Sequence, residues 1–242
     1  MELQIAVSKI QKYGSIDSGD TVEVVERPQG GLSVVMADGQ TSGKGAKWIS
    51  TLVVRKVISL LAEGVRDGAA ARAASDYLYT ERAGKVSATL NILSVDRSTN
   101  TLVITRNNPA PVLLAHHEDI QCLNEKSLPV GLYRDTRPVI CEIPIETGLT
   151  AIIYTDGLVH AGSRKGESID IENLFQELLE EEDPSPQLIA DCLLNEAVRL
   201  DRNKPVDDIS IVVLRVINRT GDDVRRMMVR LPLEMIASNN YH

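Results

Sequence analysis

Short runs rich in apolar and β-branched positions open the chain, over residues 3–7, 21–26 and 32–37. Turn-forming stretches separate them, at residues 14–19 and at Pro28-Gln29-Gly30-Gly31. Such runs between turns read as strands, and the short turns predict antiparallel hairpins. From residue 44 the pattern changes. Ala46, Ile49, Val53, Val57, Leu60 and Leu61 recur at helical spacing until Gly64, and a second helix is expected over residues 69–81. Strand-like runs return at residues 87–95, 102–105, 112–116, 139–143 and 150–154, each bounded by Asn, Asp, Gly or Pro. Two more helices are predicted over residues 173–181 and 187–200, carrying Leu174, Leu178, Leu188, Cys192 and Leu193 on apolar faces, with Pro184 and Pro186 between them. Residues 209–216 are almost continuously apolar, the signature of a strand buried on both faces.

The order is strands, two helices, strands, two helices, strand, without the βαβ alternation that builds a parallel sheet. It predicts an α+β fold: a four-layer α/β/β/α sandwich of two antiparallel sheets flanked by helices. No repeat or linker divides the chain, so one domain over residues 1–216 is expected. A C-terminal extension, residues 217–242, follows the turn-rich stretch 218–223. Within it Met227-Met228-Val229-Arg230-Leu231-Pro232-Leu233 alternates enough for an added edge strand, the other expectation being a mobile tail.

Composition narrows the function. With 242 residues, 43% apolar and 25% charged, the chain can bury a large core, which excludes general disorder. The net charge of −8 and an aromatic content of 3% disfavour nucleic acid as a partner. No transmembrane run or secretory signal stands out, so the expected location is cytoplasmic, with no membrane partner. Cys122, Cys141 and Cys192, odd in number and widely spaced, read as buried reduced thiols. Trp48 and Phe175 are expected to pack helices on sheets. His116-His117 and the run from Glu180 through Glu181 and Glu182 to Asp183 are expected at the surface.

Four acidic positions share one context, a strand edge beside a glycine or a second acid. They are Asp20 in Ser18-Gly19-Asp20, Asp38 in Ala37-Asp38-Gly39, Asp156 in Thr155-Asp156-Gly157, and Asp207 in Val206-Asp207-Asp208. Each alone is an ordinary turn or loop cap. Together, on strands ending at one rim, they make a carboxylate cluster that cations must neutralise, and oxygen ligands without His or Cys select Mg²⁺ or Mn²⁺.

These residues, with Gln40-Thr41-Ser42-Gly43-Lys44-Gly45-Ala46, the Pro129-Val130-Gly131-Leu132 turn, Tyr154 to Leu158 and Asp207-Asp208-Ile209-Ser210-Ile211-Val212, resemble the metal-dependent protein phosphatases of the PPM family. Within it they are similar to the bacterial branch that includes the stage II sporulation protein E phosphatase domain and RsbX. The resemblance implies two Mn²⁺ or Mg²⁺ ions held by Asp20, Asp38, the Gly39 carbonyl, Asp156 and Asp207, with Asp208 behind them. Those acids would act in catalysis through metal-borne water, a hydroxide between the ions attacking phosphoserine or phosphothreonine in line. Lys44 and Lys47 are candidate phosphate-orienting residues, and the backbone donors of residues 41–45 offer the same service or simply start a helix.

The chain departs from the family at two places. Gln40 stands where animal members have a histidine after Asp-Gly, so the leaving-group proton is expected from water. Asn107 and Asn108 stand where many relatives have an acidic or Gly-His motif, so the motif that goes with a family-type third metal is missing, and whether a third metal binds is left open. His160, four residues after Asp156, has no evident proton-transfer partner. The implied partner is a phosphorylated regulatory protein, a STAS-domain or stressosome component being the implied class. The rival reading is a catalytically silent phosphatase-like module that binds such a partner, with a phosphatase of small metabolites a third.

Overall fold

The computed structural model describes residues 1–116, 119–181, 183–219 and 221–232. Among these, ten strands form two five-stranded sheets in which every pairing is antiparallel. One sheet runs β2 (Asp20–Glu26), β3 (Gly31–Gly39), β4 (Ala88–Asp96), β5 (Thr101–Asn107), β8 (Val139–Pro144). The other runs β1 (Glu2–Ile10), β10 (Ile209–Ile217), β9 (Leu149–Tyr154), β6 (Val112–His116), β7 (Asp119–Leu123). Helices α1 (Gly43–Ala62) and α2 (Asp67–Arg82) cover the first sheet. Helices α4 (Ile171–Leu179) and α5 (Pro186–Leu200) cover the second, and α3 (Asp156–Val159) is a single turn after β9.

Three apolar layers hold this sandwich together. Val34, Met36, Leu93, Ile104, Leu114, Ile153 and Val212 interdigitate between the sheets. Val35, Ala37, Leu90 and Ile92 point the other way, onto Val53, Val57, Ala70 and Ala74 of α1 and α2. Leu113, Ile152, Ile211 and Val213 meet Phe175, Ile189 and Leu193 of α4 and α5. Each central strand therefore buries both faces, which is why β10 reads as a nearly continuous apolar run and edge strand β8 alternates. The α+β sandwich with a helical layer outside each sheet is the fold the sequence predicts.

Several local expectations change. Only β2 and β3 of the opening strands form a hairpin; β1 lies in the other sheet and pairs with β10, Leu3 opposite Val216 and Ile10 opposite Ile209. Strand β7 has no counterpart in the sequence reading, although Ile120 and Cys122 alternate with polar neighbours. Phe175 is fully buried between helix and sheet, but Trp48 is 43% exposed with the Arg82 guanidinium 4.0 Å above its ring. A wide aromatic on the outer face of α1 is thus sheltered by a cation rather than by the core. The three cysteines are free but only partly buried. Residues 221–232 carry no strand, so the alternation from Met227 is not realised there; Leu233 and everything after it, like His117 and Glu182, lie outside the described residues. No described helix is long and apolar enough to cross a membrane.

Candidate metal centre

Strand pairing alone brings the first two acids together. Asp20 opens β2 and Asp38 closes β3, and the hairpin register sets them directly opposite one another. Asp156 begins α3 two residues after the end of β9, and Asp207 lies two residues before β10, the strand beside β9. Both sheets thus end their acid-bearing strands at one rim of the sandwich. Asp38 senses the charges of Asp20, Asp156 and Asp207, so all four predicted acids share one electrostatic neighbourhood.

Two glycines make the rim possible. A side chain at Gly39 would overlap the carbonyl of Ala46, and one at Gly157 would overlap the carbonyl of Asp208. The Asp-Gly pairs therefore mark places where α1 and the start of β10 press against the chain, a packing demand distinct from turn formation.

Asp20 is 0% exposed. Its Oδ2 accepts hydrogen bonds from the Ser210 hydroxyl at 2.6 Å and the Thr155 hydroxyl at 3.1 Å, while its buried Oδ1 has no hydrogen-bond partner. Burial, then repulsion by Asp20 and Asp156, pushes the Asp38 carboxyl up to about 9. Asp20 is raised chiefly by burial, and Asp207 by burial and then by Asp156. A buried carboxylate oxygen left without a donor, facing carboxyls that resist ionising together, needs a cation. The donors are all oxygens, with neither sulfur nor nitrogen among the four predicted ligands, which fits Mn²⁺ or Mg²⁺. Among the described residues no three His, Cys, Asp or Glu side chains are already drawn together tightly enough to enclose an ion.

The remaining candidates have definite places. Asp208 is held by backbone donors: its Oδ1 accepts from the Lys12 N–H at 2.9 Å and its Oδ2 from the Gly19 N–H at 2.8 Å, tying the loop before Asp20 to the start of β10. Lys44 is exposed in the first turn of α1. Lys47 is engaged inward, donating to the Asp20 carbonyl at 2.8 Å and to the Thr21 hydroxyl at 3.0 Å. Gln40 accepts from the Ser87 N–H and hydroxyl at 3.0 and 3.1 Å, which fixes the strand end. His160 Nδ1 stands 4.0 Å from Asp156 Oδ2. Asn107 and Asn108 donate to backbone carbonyls, Asn107 to Leu128 and Asn108 to Tyr154, and serve the loops around buried Arg106.

Lys9 escaped the sequence reading. From β1, in the opposite sheet, its ammonium reaches the same Asp20 carbonyl at 2.6 Å. Much of its stem stays exposed, yet burial at the ammonium end, then repulsion by Lys47, pulls its pKa below the usual lysine range, while Asp20, Asp208 and Asp38 act the other way. Two lysines, one from each half of the sandwich, therefore meet on one carbonyl.

Comparison with known proteins adds a lineage to this geometry. The family model described as stage II sporulation protein E (SpoIIE) matches residues 28–217. Stage II sporulation protein E of Bacillus subtilis (strain 168) is 21% identical over 209 residues, 86% of this chain and 25% of that protein. The chain thus spans about a quarter of that relative. The structure of the PP2C phosphatase domain with a fragment of the regulatory domain of the same Bacillus protein superposes with a TM-score of 0.77 at 18% identity, covering 91% of this chain and 64% of the other. RsbX in complex with magnesium gives 0.66 at 17%, covering 88% and 94%. The catalytic domain of the serine threonine protein phosphatase PstP in complex with two manganese ions gives 0.67 at 16%, covering 89% and 99%.

Proposed function

The chain belongs to the stage II sporulation protein E family, and from that premise we propose that it is a metal-dependent serine/threonine protein phosphatase. Its substrate would be phosphoserine or phosphothreonine on a regulatory protein, a STAS-domain or stressosome component being the class the motif resemblance implies. The observation that carries the reading is the Asp20–Asp38 pair: two carboxyls set opposite by strand register, one wholly buried with an oxygen lacking any donor. Magnesium and manganese in the RsbX and PstP structures support the choice of ions.

Asp20, Asp38, Asp156, Asp207 and the Gly39 carbonyl would hold two Mn²⁺ or Mg²⁺ ions. When bound, the ions supply positive charge for the phosphoryl oxygens and make water acidic enough for hydrolysis near neutral pH. The protein's part is to fix the ligands. Thr155 and Ser210 hold one oxygen of Asp20, and Lys9 and Lys47 hold its carbonyl, so its second oxygen has one place to point. Asp208 keeps the loop before Asp20 against β10. The Gln40 side chain, bonded to Ser87, has no acidic proton to give, so the leaving alkoxide takes its proton from water.

With a net charge of −8, selectivity should arise from the surface of a folded partner. The test compares specificity constants, at fixed Mn²⁺ and salt, for an intact phosphoserine protein, a short phosphopeptide with the same site, and small phosphate monoesters. The intact protein should be turned over far more efficiently. Superior turnover of a small metabolite would overturn the protein-phosphatase reading, and no turnover of any ester with Mn²⁺ bound would point to a silent binding module.

A further inference from the structure

Three arginines line one groove, and none has an ion pair among the described residues. Arg66 precedes the first turn of α2, Arg72 lies farther along it, and Arg137 sits just before β8. The groove encloses about 330 Å³, and its remaining lining is apolar, including Pro138 and Ile140, the latter 52% exposed. A Cβ at Gly68 would lie 2.5 Å from the Ile140 Cδ1, so α2 and β8 meet closely at this floor. No acidic residue lines it. That is unusual in a chain with net charge −8, where other arginines are occupied by neighbours: Arg199 by Glu196, Arg226 by Asp222, Arg82 by the Trp48 ring.

Its place is fixed by strand register. Arg106 pairs with Val139, Asn107 pairs with Leu90, and Leu90 pairs with Ala37. Pro138 and Arg137 consequently stand level with the Ala37–Asp38 end of β3, three strands away, or about 14 Å at ~4.8 Å per strand. An extended chain covers that in about four or five residues.

We propose that this groove docks an acidic segment of the phosphoprotein substrate, its carboxylates meeting the three guanidiniums while an aliphatic side chain rests on Ile140. Guanidinium forks suit carboxylates, and the apolar floor suits a peptide better than a bare anion. The identity of the partner rests on the phosphatase reading; the anion-binding groove does not.

The test uses the full chain and a fluorescent synthetic peptide of alternating glutamates and leucines, with a glutamine-for-glutamate control. Binding is followed by anisotropy at two salt concentrations and by the Ile140 methyl resonance. The acidic peptide should bind, weaken with salt and shift the Ile140 methyl. The glutamine peptide should not bind, and a chain carrying Arg72→Glu and Arg137→Glu should lose about tenfold in affinity. The milder pair Arg72→Gln and Arg137→Gln provides a second check on folding and should bind with an intermediate loss. Mn²⁺ binding and p-nitrophenyl phosphate turnover should be the same in all these chains. Equal binding by the charge-reversed chain, equal binding of the glutamine peptide, or an Ile140 shift caused by inorganic phosphate but not by the peptide would overturn the proposal. A chain that binds the peptide but shows no Mn²⁺-dependent turnover would sink the phosphatase reading and sustain the groove.

Discussion

At Asp38, burial and function oppose each other. The carboxyl stands across from Asp20, and both are pushed above the ordinary carboxylate range, chiefly by burial, with repulsion from Asp20 adding at Asp38. Asp38→Asn removes a carboxyl whose ionisation the fold opposes. It should stabilise the metal-free chain by roughly 1–2 kcal/mol, while abolishing both turnover and the stabilisation that added Mn²⁺ gives the parent. Thermal melts with and without Mn²⁺ check this; a variant less stable than the parent in the absence of metal would show that the two carboxyls do not repel. His160→Ala, at an exposed side chain, should leave turnover nearly unchanged. Lys9 invites a second measurement. As a countercharge near Asp20, Asp38 and Asp208, it should help hold the metal-free rim together, so Lys9→Met should cost about 1 kcal/mol without metal. That deficit should shrink once Mn²⁺ supplies positive charge, and an equal deficit in both conditions would refute the role. The acids were legible because each flanks a glycine or a second acid at a strand edge. Lys9 was not, since its partner is a backbone carbonyl in the other sheet and a lone lysine on an alternating strand looks solvated.

Most elements could be read from their period, because the sandwich buries each central strand on both faces and each long helix on one. The pairing of strands could not. β1 reaches the far end of the chain to pair with β10, and nothing in residues 3–7 indicates a partner more than two hundred positions away. β7 was missed because five residues, three half-buried and two exposed, carry too little periodic signal. At the C-terminus the alternation from Met227 suggested a strand, yet the described residues 221–232 are exposed; Arg225 makes an exposed ion pair with Glu26 at 3.4 Å, a contact of little worth. A chain ending after Asn218 should accordingly keep its metal-dependent turnover and melt within about 2–4 °C of the parent. Loss of activity in a folded truncation would place a functional element beyond residue 218.

For the whole molecule, the rim couples stability to pH. The unfolded chain has ordinary aspartates near pH 3.9, whereas Asp38 in the folded, metal-free chain is raised to about 9. Between those values the folded state binds more protons than the unfolded one, so stability falls as pH rises. The contribution is full below about pH 4 and is lost progressively as pH climbs through the folded value. The metal-free chain should melt at a lower temperature at pH 8 than at pH 5, and Mn²⁺, which favours ionised carboxylates, should reverse that order. A metal-free melting temperature that rises from pH 5 to pH 8 would contradict it.

The most direct test follows the initial rate of p-nitrophenyl phosphate hydrolysis while Mn²⁺ is titrated into a chain stripped of metal by chelator. The stripped chain should be folded and inactive, activity should return with added Mn²⁺, and the Asp38→Asn chain should stay inactive throughout. Full turnover by a demonstrably metal-free sample, or restoration of the Asp38→Asn chain to the parent rate, would contradict a metal centre built on these four aspartates.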